Sequence, residues 1–457
     1  MTSTVDMTPA YSDQFAALRA SLPGAGLTWM RALRERGMAL FAGDGFPTPR
    51  VEEWKYLNLA PLARTRFVPA GAVDFIDQTT VARFGLGETP AHRVVLVNGR
   101  FRADLSALGR LPAGARIDSL ARLLAEAPAL LEPHLLDPGA LAEDRLSGAR
   151  DTRPHALTAL NSALAADGVV IYVPKGAAID MPVHILSLTH GGDDAPMSHP
   201  RHLLIAGEGA SATVIESVVG LGQGARWTNA VTQVVAAAGA ELGHYRLQAD
   251  ADQAFHSAAT YAVLARGARY RNFVLSTGAS LSRNEIRVRI DGPDVACTLD
   301  GAYLARGDQA MDNFLRVDHA APRGTTTELY KGVIDERAHG SFQGRIRIWP
   351  HAIKSNARQT NHNLLLADGA AADSKPELEI LNDDVQCSHG STVGDLDRDA
   401  LFYLRARGIG ETDARALLIH GFIGSLIDSL PDQAARGLFG AALGRWLAAA
   451  GGAELAA

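Results

Sequence analysis

Cysteine is scarce in this chain of 457 residues, which contains only Cys297 and Cys387. The two residues lie far apart, and neither belongs to a CxxC pair. The sequence therefore predicts neither a disulfide framework nor a self-sufficient cysteine cluster site. We expect a cytoplasmic protein with reduced thiols, in which Cys297 is an ordinary structural residue.

Long apolar runs and an excess of basic residues are missing as well. No apolar segment reaches the roughly 18–20 residues that a membrane helix needs, so no membrane partner is expected. The stretch from Met1 to Gln14 is polar and acidic, and it lacks the basic start and apolar middle of a signal peptide. The net charge is −6. A nucleic-acid partner is not expected, because phosphate binding needs a concentrated basic face.

The sequence also lacks the common catalytic motifs. It has no GxxxxGK[ST] loop for ATP, no GxSxG elbow and no HExxH zinc helix. A carbohydrate-active β-helix enzyme is one alternative, because Glu377 and Glu379 would share one face of a strand. A solvated strand edge explains the same pair without any chemistry. We therefore expect a protein that is not an enzyme.

What the sequence does contain, from about residue 169 onward, is a series of short apolar runs rich in β-branched residues. Six of them are predicted strands, at Val169–Val173, His202–Ile205, Ala230–Val235, Asn272–Leu275, Ile286–Ile290 and Arg345–Ile348. Gly-Ala steps recur among them about every 30 residues, which indicates stacked repeats. The steps are Gly176-Ala177, Gly209-Ala210, Gly239-Ala240, Gly267-Ala268 and Gly301-Ala302.

These repeats predict a mainly β protein whose core is a parallel β-helix, or β-solenoid. Glycine would occupy the tight corners, because it tolerates positive φ. The alternative is a large β-sandwich, whose strands also alternate with turns. We expect three parts: an N-terminal, mainly helical region at 1–150, a β-helix core at 151–395 and a C-terminal helical domain at 396–457.

Helical patterns are predicted on both sides of the repeats. Apolar spacing over residues 27–40 predicts a helix that ends near Gly43. In the C-terminal part, one helix is predicted over Asp397–Arg407, a second is expected to be capped by Thr412, and a third begins at Asp432. Such a helical appendage would either cap the open end of a solenoid or bind a partner.

One segment, at residues 383–394, combines a thiol with an imidazole. If it is extended, Cys387 and His389 point from the same face of a strand and form a plausible pair of soft metal ligands. Two ligands do not complete a cluster or zinc site, so the remaining ligands would come from elsewhere, and another chain is the expected source. The alternative is a buried thiol beside a hydrogen-bonded histidine.

Several longer motifs resemble the SufB/SufD family of iron–sulfur cluster assembly proteins, most closely its SufD branch. The C-terminal ones are Asn361-His362-Asn363-Leu364-Leu365-Leu366, Lys375-Pro376-Glu377-Leu378-Glu379-Ile380, Asp384-Val385-Gln386-Cys387-Ser388-His389-Gly390 and Leu401-Phe402-Tyr403-Leu404-Arg405-Ala406-Arg407-Gly408. Near the N-terminus, Arg50-Val51-Glu52-Glu53-Trp54-Lys55-Tyr56 is similar to the R-x-E-x-W-K-Y segment typical of SufD. With Asn161–Pro182, the resemblance covers most of the chain.

The resemblance implies a scaffold subunit in a complex of SufB, SufD and two copies of the ATPase SufC. The two β-helices pair through their C-terminal strands, where the histidine of the C-S-H-G step, here His389, faces a SufB cysteine. Cys387 is a second candidate ligand at that interface. The helical region matched by 397–430 docks SufC, and dimerisation of SufC driven by ATP would strain the SufB–SufD interface and expose the assembly site. The residues expected to contact SufC are Leu401, Phe402, Tyr403, Arg405 and Arg407.

The same resemblance implies that the chain alone binds no cofactor stably. In the complex it would contact a nascent iron–sulfur cluster, and a reduced flavin is a further candidate. Two alternatives stay open: a SufB-like subunit that holds the cluster itself through Cys387, and a purely structural adaptor whose residues never touch iron. A homodimer is a candidate state of the chain without SufB.

Overall fold

The structure, a computed structural model, describes residues 7–137, 139, 152–191, 194–449 and 451. Its helices are α1 (Thr8–Leu18), α2 (Thr28–Asp44), α3 (Ala60–Arg64), α4 (Gln78–Ala82), α5 (Leu120–Glu126), α6 (Pro128–Leu131), α7 (Ala156–Leu164), α8 (Arg398–Ala406), α9 (Glu411–Asp428) and α10 (Gln433–Ala449). Two 3₁₀ turns lie at Glu52–Trp54 and Arg153–His155. None of the helices described here is long and apolar enough to cross a membrane.

The strands are more numerous than the helices. They are β1 (Val68–Pro69), β2 (His92–Val97), β3 (Arg100–Phe101), β4 (Arg116–Ser119), β5 (Val169–Val173), β6 (Val183–His190), β7 (Pro196–Ser198), β8 (Arg201–Ala206), β9 (Ser211–Leu221), β10 (Arg226–Ala236), β11 (Glu241–Ala249), β12 (Ala254–Leu264), β13 (Arg269–Ser276), β14 (Leu281–Ile290), β15 (Ala296–Ala305), β16 (Ala310–His319), β17 (Thr325–Ile334), β18 (His339–Ile348), β19 (Asn356–Leu365), β20 (Ala371–Ile380) and β21 (Gln386–Gly394).

From β8 onward, successive strands alternate between two sheets. The first sheet runs β4-β5-β8-β10-β12-β14-β16-β18-β20, and the second runs β3-β2-β6-β9-β11-β13-β15-β17-β19-β21. Neighbouring strands are parallel, except that β2 pairs with β3 and β4 with β5 in antiparallel fashion. Each turn of the chain thus adds one strand to each sheet, which confirms a parallel β-solenoid and excludes a β-sandwich. All six runs predicted as strands lie within strands.

The corners of the solenoid explain most of the glycine pattern. Gly209, Gly239 and Gly267 have φ between +63° and +67°, a region that costs glycine little. The backbone N–H of each donates to a carbonyl of the next turn. The prediction for the Gly301-Ala302 step was wrong, because Gly301 lies inside β15, where a side chain would meet the Tyr330 ring at 2.5 Å.

The two sheets enclose one apolar interior, and helices cover both outer faces. On the first sheet, Tyr11 and Phe67 from the N-terminal part pack against Trp227, with ring centroids 6.2 and 5.5 Å away. On the second sheet, Phe439 of α10 lies 4.9 Å from Phe273 of β13. The mainly β fold with helical flanks is therefore confirmed, and the C-terminal helices lie along the side of the solenoid.

Details at the predicted helix ends differ from the prediction. α2 continues to Asp44, and the residue with positive φ at its end is Gly45 rather than Gly43. Thr412 lies inside α9, whose N-cap is Gly410, so the predicted cap was wrong. Strands β2 to β4, which precede residue 150, join the two sheets of the solenoid. The predicted boundary at residues 150 and 151 lies outside the described residues.

Candidate functional site

The last turn of the solenoid, formed by β20 and β21, is its open end. Within the described part of the chain, β20 pairs only with β18, and β21 pairs only with β19. The residues of β20 are mostly half-buried and those of β21 mostly exposed, whereas the central strands are buried. Each strand therefore leaves a row of backbone N–H and C=O groups without a neighbouring strand, which is a template for pairing with another chain.

Cys387 lies at the start of this exposed strand. It is in register with Ala357 of β19 and packs against the apolar interior, so its thiol points inward. Partial burial raises the pKa of this thiol, against a smaller opposing effect of a backbone hydrogen bond with Ala357. The thiol is thus mostly protonated at neutral pH, and a nearby cation or metal would be needed to form the thiolate.

His389 follows two residues later on the same face of β21, over the open end of the interior. Its register partner is Gln359 of β19, and its side chain is exposed. The predicted geometry, a thiol and an imidazole on one face of an extended strand, is therefore present. The described residues contain no group of three or more His, Cys, Asp or Glu side chains that could hold a metal ion. Cys387 and His389 thus offer two donors, fewer than the four of a typical cluster site.

The first C-terminal helix, α8, follows the open strand after only three residues. Its N-cap is Asp397, whose side chain accepts from two backbone N–H groups, and no residue of the helix is buried. Phe402 and Tyr403 are 74% and 56% exposed, which is unusual for aromatic residues. Leu401 is half-buried.

Two arginines on and after α8 make local contacts. Arg405 pairs with Glu411 of α9 at 3.2 Å. The Arg407 guanidinium lies 4.7 Å from the ring centroid of Tyr403. All five residues that the resemblance assigned to partner binding therefore lie on one element and the loop that follows it, and four of them are exposed.

A cleft of about 520 Å³ separates the open end from α9. It is lined by residues from β17, β19 and β21 and by Phe422. Lys331 donates to the carbonyl oxygen of Phe422 at 2.6 Å and to Ser425 at 3.0 Å, so it joins the sheet to the helix. His362 shares a hydrogen bond of 2.7 Å with Thr392 of β21. The cleft thus borders the open end with a mixed lining, in which Leu329, Leu364 and Val393 lie beside the polar residues.

The N-terminal motif around Trp54 is a structural contact rather than a chemical site. Trp54 is buried, and the Arg283 guanidinium lies 3.8 Å from its ring centroid. Glu53 pairs with Arg287 of β14, and Glu52 pairs with Lys375 of β20. The motif therefore attaches the N-terminal part to the outer face of the first sheet. Its contacts extend from β14 to β20, which is in the last turn.

The two carboxylates considered for a hydrolase are also in ion pairs. Glu379 accepts from Arg347 at 2.9 Å and from Arg345 at 2.8 Å, and Glu377 lies 3.2 Å from Lys375. These contacts support the interpretation of a charged strand surface.

Sequence reasoning missed two polar residues beneath His389. Gln359 is fully buried, and its Nε2 donates to Oε2 of Glu328 on β17 at 2.6 Å. Glu328, Gln359 and His389 occupy equivalent register positions of three successive turns. Burial raises the pKa of Glu328 to about 7. The only signal in the sequence was their spacing of about one repeat, which no local motif marks.

The fold and its open end define a class: a parallel β-solenoid with helices on both faces and a last turn available to a partner. Two family descriptions match the chain: "SUF system FeS cluster assembly, SufBD core domain" over residues 188–422, and "SufBD protein N-terminal region" over residues 5–185. The chain belongs to the SufB/SufD family of iron–sulfur cluster assembly proteins.

Similar proteins extend over most of the chain. An iron–sulfur cluster assembly SufBD family protein of Synechocystis is 31% identical over 406 residues, which is 87% of each chain. The iron–sulfur cluster assembly protein SufD of Escherichia coli is 29% identical, covering 85% of this chain and 86% of that protein. SufD of Bacillus subtilis is 27% identical over 66% of this chain and 72% of its own length.

Proposed function

We propose that this chain is a SufD-like scaffold subunit of a cytoplasmic SufB–SufC–SufD complex, and that it is not itself an enzyme. One observation carries the proposal: an open turn that presents Cys387 and His389 is followed directly by a helix with exposed aromatic residues. A strand-pairing edge and a docking helix are the two features that an assembly subunit with two different partners needs. The family and the SufD relatives support the same role.

The partner at the open end is proposed to be the β-helix of SufB. An added strand would satisfy the free backbone groups of β20 and β21, as in other cases of strand addition. It would also cover the exposed side chain of Val393 and remove the unpaired edges that otherwise favour aggregation. Without SufB, the same edges would favour a homodimer.

At that interface, His389 is proposed to act as a neutral imidazole ligand or a local base for the nascent cluster. The cluster is the cargo of the complex, and SufB would supply the remaining donors. Cys387 is a second candidate donor, whose thiolate would form only beside a metal or a cation, because its pKa is raised. The chain alone is proposed to hold no stable cofactor, and a reduced flavin is a candidate cofactor of the complex.

The ATPase SufC is proposed to dock on α8 and the following helix. Phe402 and Tyr403 supply exposed apolar area, and Leu401, Arg405 and Arg407 surround it. Aromatic and arginine side chains are the most common anchors of protein interfaces. ATP-driven dimerisation of SufC would then strain the paired edges and expose the assembly site.

The test is co-expression with the SufB and SufC partners, with and without His389→Ala, followed by anaerobic purification. We expect an intact complex that has lost the visible absorbance of its cluster. His351→Ala, which removes another exposed histidine, is the matched control. Normal absorbance at equal complex yield would refute the role of His389 and leave the chain as an adaptor.

Cys387→Ser in the same experiment distinguishes a SufD-like subunit from a SufB-like one. A SufD-like subunit predicts a mild effect, because the cluster-building thiols belong to SufB. Loss of all cluster assembly would instead favour a SufB-like subunit that holds the cluster itself.

A further inference from the structure

An unpartnered acceptor lies directly beneath His389. Gln359 is fully buried, and its side-chain oxygen Oε1 has no hydrogen-bond partner within the described residues. Leaving such an acceptor buried and unpaired costs about 1–3 kcal/mol, so it calls for an explanation. Its register neighbour on the open strand is His389, whose ring carries an N–H in either neutral tautomer.

The amide of Gln359 is held in place by Glu328 of β17, on the side away from His389. Its Nε2 donates to Glu328 at 2.6 Å, so the oxygen is the end of the amide that is left to accept. Gly344 of β18 faces it across the interior, and a Cβ at that position would overlap the amide nitrogen of Gln359. Glu328 thus orients the amide, and Gly344 leaves it room.

We propose that Gln359 is a positioning residue that accepts a hydrogen bond from the ring of His389 and so fixes its tautomer. Register partners on neighbouring parallel strands lie about 4.8 Å apart, a spacing at which side chains on the same face can come into contact. The other ring nitrogen is then unprotonated and faces the open end. Histidine ligands of metals are commonly oriented in this way by a second acceptor.

This inference rests on the proposed role of His389 in the complex, because fixing a tautomer matters only if the free nitrogen meets a ligand. Glu328 and Gly344 take part only through Gln359. Gln359 and Gly344 lie one turn below the open end, and Glu328 lies two turns below it. All three belong to this chain, so the orientation of His389 would not depend on the partner subunit.

The test uses the full chain without partners, labelled with ¹⁵N-histidine, and reads the ring nitrogens of His389 by NMR above pH 8. The His389 signals are assigned by their loss in His389→Ala. We expect a single-tautomer signature in the wild type. We expect Gln359→Met to lose it and to show the average of both tautomers.

Gly344→Ala provides a second variant that keeps Gln359 but displaces its amide, and it should lose the single-tautomer signature as well. Gln343→Met is the matched control. Gln343 is also buried and donates to the Glu53 carbonyl on the outer face, so its loss should leave the His389 signals unchanged.

Wild-type ring signals in both Gln359→Met and Gly344→Ala would overturn the proposal. So would a mixture of tautomers in the wild type. These outcomes do not depend on cluster assembly. Conversely, normal cluster absorbance with His389→Ala would refute the proposed function and leave the tautomer measurement intact.

Discussion

At the scale of single residues, the residue type at one series of corners changes along the solenoid. Glycine occupies the corner in the early turns, as at Gly239, whereas Asp294, Arg323 and Lys354 take corners in later turns with φ between +57° and +63°. Two of these charged residues, Arg323 and Asp294, form an ion pair with each other at 2.6 Å. Such pairs on the surface contribute little, so the later corners retain backbone strain that glycine would avoid.

Gly239→Ala tests the cost of this backbone conformation. Gly239 has φ +67°, and nothing lies within 4 Å of an added Cβ, so only the backbone strain is measured. We expect a loss of about 1–2 kcal/mol in the free energy of unfolding, from urea denaturation. Gly421→Ala in α9, also with free space, should instead stabilise by about 0.5–1 kcal/mol. Equal effects of the two changes would contradict this account.

Glu328 predicts a pH dependence of stability. Burial raises its pKa from 4.5 to about 7, and nearby Asp300 adds to the rise. The folded state therefore keeps a proton that the unfolded chain releases near pH 4.5. Stability is lost as the pH rises from 4.5 to 7, and the full penalty is present above 7. Glu328→Gln should remove a penalty of up to about 3 kcal/mol at pH 8 and have little effect near pH 5.

Chemical denaturation of both proteins at pH 5, 6.5 and 8 measures this difference. Subtracting the wild type from the variant cancels the titration of the other groups. A stability difference that stays constant over this range would show that Glu328 is ionised throughout in the folded protein.

At the scale of elements, α8 and α10 illustrate two uses of aromatic residues. Phe402 and Tyr403 of α8 are exposed, whereas Phe439 of α10 is buried against the second sheet. We expect Phe402→Ala with Tyr403→Ala to change stability by less than about 0.5 kcal/mol and to weaken binding of the proposed ATPase partner by about tenfold or more. Phe439→Ala should cost about 3–5 kcal/mol of stability.

Calorimetric titration of the proposed ATPase partner into each variant, together with denaturation, separates the two effects. Unchanged binding by the double variant of α8 would show that this helix is not part of the proposed docking surface.

The elements also show how far sequence reasoning extends. The strand runs and four Gly-Ala steps predicted the solenoid correctly, because corners recur at one spacing and glycine marks them. The fifth step, at Gly301, was wrongly predicted as a corner. Glycine is needed there because the Tyr330 ring leaves no room for a side chain, and the backbone does not turn. Asp294, the actual corner nearby, carries no glycine signal. The strand with Cys387 and His389 was found from its motif, but Gln359 was missed, because register across turns is not visible locally.

At the scale of the whole molecule, the motif around Trp54 is one of several contacts that join the N-terminal part to the solenoid. Trp54 packs under Arg283, and its indole N–H donates to the carbonyl oxygen of Pro154 at 3.2 Å. Trp54→Ala should therefore cost about 3–5 kcal/mol and expose the N-terminal part to proteases. Lys55→Ala, at the exposed neighbouring residue, is the control and should change stability by less than about 0.5 kcal/mol. Equal protease resistance of both variants would contradict the joining role.

The short connection between β21 and α8 has a mechanical consequence. Residues 395–397 join them, and Leu396 in the middle is buried among the apolar residues between the second sheet and the C-terminal helices. The strand with His389 precedes this anchored point, and the exposed helix follows it. Because only three residues separate them, we expect a force applied to the helix to act directly on the outer strand of the last turn.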